Sequence, residues 1–350
     1  MRRAILAGVA VLFLALPPAA QATRKAIWGP VHMPDGSSAF AVYRNLGVDV
    51  FQIQLSWAQT APTRPERPKD PDDPAYEWPK ALDEAITEGR RYGIQVAVLV
   101  MDTPEWANGG RASNWAPDRP SDYAKFMYAA SRRYPSVRRW MIWGEPSRQA
   151  NFQPLPADSP VGPRVYAKLL DAAYVALKRR SRRNIVIGGM TFSFGEVKPA
   201  DFLRWMRLPS GRRPRLDEFG HNPFAHRIPN LRDEPYIKGA RDFGDVDLFA
   251  REVRHAYRHK RRKPKLWLSE YTVSSDRANH DFNYWVSRKE QARWLTAAYR
   301  IANRHRSYIS GLGWINLIDE PASKPRGTTT GLMTYEGARK PAFYAYRRAK

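Results

Sequence analysis

The chain has 350 residues, 58 Lys and Arg against 34 Asp and Glu, a formal charge of +24 and no cysteine. These numbers exclude disulfide support, thiolate nucleophiles and thiolate metal sites. No zinc-finger or basic-zipper spacing accompanies the charge, which argues against specific nucleic-acid recognition. Residues 1–22 combine a basic head, an apolar stretch from Ala4 to Leu16, and the small residues Ala20 and Ala22 before Thr23. That is the pattern of an export signal, so the expected domain is 23–350 and the expected location is secreted or extracytoplasmic. No later apolar run is long and uncharged enough to cross a bilayer.

From residue 23 onward, short apolar runs alternate with amphipathic segments. Strands are predicted at 26–31, 48–55, 94–101, 137–143, 185–189, 218–221, 265–270 and 311–317. Helices are predicted at 37–46, 80–91, 121–133, 164–178, 199–207, 246–259, 289–303 and 341–348. Eight βα repeats predict a single-domain α/β fold, the (β/α)8 TIM barrel. Polar, Pro-rich stretches at 59–79, 107–120, 149–163 and 222–245 mostly follow strands, which assigns them to loops on the rim that carries chemistry in such barrels.

Two glutamates stand where apolar strands give way to loops. Glu145 ends RRWMIWGE and is followed by Pro146, and Glu270 lies in KPKLWLSEYT, three repeats later. Two carboxylates at one barrel mouth suit glycosidic-bond hydrolysis, with Glu145 as general acid/base and Glu270 as nucleophile. Sequence spacing leaves retention and inversion both open. Tyr271, next to Glu270, is a candidate donor to it. Trp57, Trp106, Trp143 and Trp314 lie at or beyond strand ends and are candidate sugar platforms. His221, in DEFGHNPF, is a candidate polar contact, and Gln54, Asn316 and Asp319 are secondary ones.

The densest basic blocks, KRRSRR at 178–183 and RHKRRKPK at 258–265, fall where helices end just before strands. In a barrel this assigns them to the face opposite the chemistry. They read as a solvated positive face or as a means of peripheral association with an anionic cell surface or wall polymer. His255 and His259 are four apart on an arginine-rich helix and have no third ligand at useful spacing, so no metal site is expected. Gly188 to Met190, reading GGM, lacks the framework of a nucleotide loop and reads as a turn.

With these motifs in place, the chain resembles the superfamily of retaining TIM-barrel glycoside hydrolases that includes cellulase-like, beta-xylosidase-like and beta-galactosidase-like families. The resemblance covers nearly all of 23–350 and rests on VFQIQLSW, VLVMDTPEWA, WMIWGEP, WLSEYT, GLGWINLID and KPAFYAYR. It implies acid/base Glu145 ending strand four, nucleophile Glu270 ending strand seven, and Trp314 as the strand-eight sugar platform. It also implies attack on a beta-type bond of an oligo- or polysaccharide without metal or organic cofactor. Two positions depart from the family pattern. Gly144 stands where an asparagine usually meets the sugar 2-hydroxyl, and Gln52 stands where an arginine often lies close to the nucleophile. A transglycosylase using the same carboxylates, a carbohydrate-binding descendant without turnover, and a basic wall-associated barrel are the alternatives.

Overall fold

A computed structural model describes residues 23–235, 237–280 and 282–349; the expected export signal lies outside them. Eight parallel strands form a closed ring in chain order: β1 (Arg24–Trp28), β2 (Val50–Ser56), β3 (Gln95–Met101), β4 (Arg139–Ile142), β5 (Ile185–Phe192), β6 (Glu218–Asn222), β7 (Leu266–Tyr271) and β8 (Ile309–Ile315), with β8 paired back to β1. The (β/α)8 expectation is met, and strand ends move by up to three residues. Around the ring run α1 (Phe40–Leu46), α2 (Trp57–Thr60), α3 (Lys80–Tyr92), α4 (Glu105–Asn108), α5 (Pro120–Arg133), α6 (Val161–Arg180), α7 (Pro199–Trp205), α8 (Val246–Ala256), α9 (Arg288–Arg304) and α10 (Pro341–Arg348). The short α2 and α4 were not expected; they begin the loops after β2 and β3.

Local chemistry sets the helix ends. Ser287 caps α9 by accepting the Glu290 amide, proline opens α5, α7 and α10, and Gly47 and Gly93 end α1 and α3 at φ 71° and 69°, a backbone shape that glycine adopts without a Cβ penalty. Among the described residues, no helix is long and apolar enough to cross a membrane.

Strand alternation divides the core into two layers. Ala26, Val50, Leu99, Met141, Ile187 and Trp267 fill the ring, while residues such as Ile27, Phe51, Trp140 and Leu268 face the helices. Trp267 fits inside because β8 offers glycine: a Cβ on Gly311 would sit 2.2 Å from the indole. Arg139 lies over the same ring at 5.2 Å, toward the N-terminal ends of the strands.

Candidate active site

Glu145 sits three residues past the end of β4. Trp143 and Glu145 both adopt left-handed backbone, at φ 64° and 46°, so the chain leaves the strand line around Gly144. The carboxylate is buried and fully engaged. Its Oε1 accepts from Asn222 Nδ2 at 3.0 Å, and its Oε2 accepts from Arg148 Nη1 at 2.8 Å and Asn151 Nδ2 at 3.4 Å. A Cβ on Gly144 would meet Leu99 Cδ2 at 3.2 Å and Met101 Sδ at 3.3 Å. An asparagine at 144 would therefore point its first carbon at apolar atoms, and the amides around Glu145 come from 151 and 222 instead.

Glu270 owes its direction to a bulge. Leu268 and Tyr271 both pack in the outer layer, although residues three apart in a regular strand face opposite sides. Between them β7 carries one residue more than its partner β8, a β-bulge. Ser269 and Glu270 thereby share the inner side, with Glu270 half-buried. The bulge is clamped: Ser269 O accepts from Trp28 Nε1 at 3.0 Å and from Gln52 Nε2 at 2.9 Å. Gln52 Oε1 in turn accepts from Trp267 Nε1 at 3.0 Å and Ser269 Oγ at 3.3 Å. The neutral residue at 52 thus satisfies both ends of its amide inside the barrel and fixes the strand that carries Glu270. Glu145 and Glu270 both lie at the C-terminal ends of their strands, three positions apart in a ring of eight.

Five of the six expected sugar contacts face the other way. Trp57 is 1 % exposed, stacked on Phe126 at 5.7 Å and edged by Trp106 at 5.6 Å. Trp143 packs against Phe152 and donates to Asn151 O at 2.7 Å; Trp314 packs against Tyr271 and donates to Thr330 O at 3.0 Å. Neither has an exposed face. Tyr271 packs on Phe243 at 4.6 Å, and its buried hydroxyl has no hydrogen-bond partner, so it does not donate to Glu270. His221 lies against Phe249 of α8, with Nε2 2.9 Å from Arg241 O and Nδ1 2.9 Å from both the hydroxyl and the carbonyl oxygen of Thr191. Burial pushes its pKa down to about 4, so the ring is neutral and structural. The correction has one physical origin: these residues occupy outward positions of the strands or their exits, in the layer between barrel and helices. Trp106 is half-buried, with Arg64 covering its ring at 4.7 Å.

Of the secondary candidates, exposed Gln54 donates to Asp102 at 3.4 Å. Burial pushes the Asp102 carboxyl up, against the pull of hydrogen bonds from Ser56 and Gln54. Asp319 is held by Lys340 at 3.0 and 3.1 Å, and Asn316 lends its carbonyl to Leu332 N.

The accessible aromatics of the mouth come from residues the motifs did not single out. Trp28 points inward from the end of β1 and stays half-buried. Phe192 at the end of β5 and Phe194, Phe282 and Tyr284 on the loops after β5 and β7, also half-buried, form a chain of rings joined through Phe224 and His226 at 4.9 to 6.2 Å. Arg148 bridges this group to the carboxylate, lying 4.8 Å from the Phe192 ring. Inward parity from Ala26 would have singled out Trp28, whereas no local signal marked Asn222 or Arg148.

The fold and mouth define a (β/α)8 barrel protein with carboxylates at the ends of β4 and β7. No family model matches the chain, and no curated protein matches its sequence. Solved structures do. A family 39 glycoside hydrolase from the gut symbiont Bacteroides cellulosilyticus is similar at TM-score 0.66 and 16 % identity, over 93 % of this chain and 63 % of that one. A glucosidase from Croceicoccus marinus gives 0.65 and 16 %, over 93 % and 67 %, and a monomeric beta-xylosidase from Caulobacter crescentus gives 0.57 and 17 %, over 93 % and 67 %. The chain thus spans about two thirds of the length of these proteins, and what it shares with them is the barrel.

Proposed function

We propose that this chain is a secreted retaining glycoside hydrolase acting on a beta-type bond of an oligo- or polysaccharide. The observation that carries the reading is the pair Glu145 and Glu270 at the C-terminal ends of β4 and β7. The export pattern of residues 1–22 supports secretion. The names of the similar barrels, a glucosidase and a beta-xylosidase, support a neutral sugar at the cleavage point.

In the first step the Glu270 carboxylate forms a bond to the anomeric carbon as the glycosidic bond breaks, and Glu145 gives its proton to the departing oxygen. Glu145 gains negative charge in that step. Asn222 Nδ2 and Arg148 Nη1, each within 3.0 Å of one of its oxygens, stabilise that charge. In the second step Glu145 takes a proton from water, the water oxygen bonds to the anomeric carbon, and the Glu270 ester is released. Retention requires the two carboxyls to stand about 5 to 5.5 Å apart in the sugar complex. Trp28, Phe192, Phe194, Phe282 and Tyr284 are the proposed sugar-facing rings; Trp57, Trp143 and Trp314 support the wall behind them.

The neutral Gln52 and the bare Gly144 favour one second reading, a carbohydrate-binding barrel without turnover. A panel of aryl beta-glycosides given to the purified protein separates the two. The hydrolase reading expects Glu270→Ala to abolish the covalent intermediate seen by mass spectrometry with a slow substrate. It expects Glu145→Ala to retain the first step with an activated leaving group while losing it with a poor one. Sugar binding with no turnover across the panel selects the second reading.

A further inference from the structure

The two basic blocks, eighty residues apart in sequence, meet at the N-terminal end of the barrel. Residues from 178–184 and from 260–265 line a cavity of about 660 Å³ whose wall carries ten cations and only two carboxylates, Asp217 and Glu218. Asp217 is neutralised by Lys178 at 2.7 Å, and burial pushes the Glu218 carboxyl up. Among the described residues Arg182, Arg183, Arg261, Arg262 and Lys263 have no side-chain partner. Arg139 lines the same cavity, is 6 % exposed, and leaves its buried Nε without an acceptor.

The charge continues around the side. A second cavity of about 950 Å³, between α7, α8 and the segment 211–215, shares Lys260 with the first and carries eight cations, Lys260 included, against the single carboxylate Glu252. Together they make a track, longer than one small anion needs.

We infer that this track binds an extended, carboxylate- or sulfate-bearing polysaccharide, at a site separate from the catalytic mouth. The choice of a glycan over other polyanions rests on the hydrolase reading and on two features of the walls. Single-stranded nucleic acid needs free aromatic faces for its bases, but Tyr174 is taken by Lys178 and Arg215, at 5.4 and 5.6 Å, and Tyr257 is buried with its hydroxyl on Pro214 O. A bilayer anchor combines basic residues with exposed apolar ones, and none of the large exposed hydrophobics among the described residues lines either cavity.

The test titrates the protein lacking residues 1–22 with polygalacturonate oligomers, neutral xylo-oligomers, single-stranded DNA and phosphatidylglycerol vesicles at two salt concentrations. The expected result is salt-sensitive binding of polygalacturonate in preference to the other three. Arg182→Glu with Arg183→Glu, and separately Arg261→Glu with Arg262→Glu, should each weaken it at least tenfold. Melting temperature and turnover of a small aryl glycoside should not change. Wild-type affinity in both charge-reversed proteins overturns the site, and tighter binding of DNA or vesicles overturns the ligand class. Glu270→Ala should bind polygalacturonate like the wild type. Binding that survives this change but not charge reversal, in a protein that turns over no glycoside, would sink the hydrolase reading and keep the site; turnover with binding indifferent to charge reversal would do the opposite.

Discussion

Replacing Asn222 by alanine tests the acid/base assignment most directly. Its Nδ2 donates to Glu145 Oε1 at 3.0 Å in a buried setting. The other atom of the amide, Oδ1, has no partner, so truncation orphans nothing besides the carboxylate. The backbone role of residue 222 survives, because its carbonyl still accepts from Ser193 N and Oγ. A hydrogen bond to a charged group contributes about 1.5–3 kcal/mol. If all of it is expressed when Glu145 becomes the carboxylate, kcat/KM falls about 10- to 150-fold. The assay is a series of aryl beta-glycosides with leaving groups of graded acidity. The loss should be largest for the poorest leaving group and shrink toward nothing for the best. A loss of the same size across the series, or turnover within about twofold of wild type throughout, would refute the role given to Asn222.

Three further changes probe the scaffold. Gly311→Ala drives a Cβ into the Trp267 ring, which is fixed by its bond to Gln52 and by Arg139 above it, so the cost should be about 1–3 kcal/mol in urea unfolding; an unchanged midpoint would show that the barrel interior yields. Lys340→Met strips Asp319 of its buried partner and should cost about 3–5 kcal/mol, much of it regained when Asp319→Leu is added. An equally unstable double variant would contradict this. His221 stays neutral in the fold down to about pH 4, whereas the unfolded chain takes up its proton near 6.5. Stability present at pH 7 should therefore fall as the pH drops through that window, by up to ~3 kcal/mol. His221→Gln should flatten this part of the profile, and a wild-type curve that stays level from pH 7 to 4.5 would rule the linkage out.

What could be read from the sequence follows from which forces are local. The eight strands were legible because each is a short apolar run bounded by polar turns, and even the sparse EFGH of β6 was placed correctly. The position of Glu145 and Glu270 at strand ends was legible for the same reason. Which way the neighbours face was not. A single extra residue in β7 puts Tyr271 on the outer side and Ser269 with Glu270 on the inner side, and nothing in LWLSEYT announces a bulge. Trp143 misled similarly, because its ring looks like a platform until the left-handed backbone turns it into the helix layer. Gln52 read as a missing charge, yet its function needs Trp267 and Ser269, more than two hundred residues away. Asn222 and Arg148 acquire meaning only when β4 and β6 close on the same carboxylate.

The left-handed backbone at Glu145 sets folding against chemistry at a single position. A side chain there costs about 1–2 kcal/mol relative to glycine, and this one is also a buried carboxylate. Glu145→Gly would therefore relax the backbone at the step that removes the proposed proton donor. Drift toward stability alone would favour the inert residue. On the proposed acid/base role, the conformation that costs the fold stability is the one that presents the carboxylate to Asn222 and Arg148.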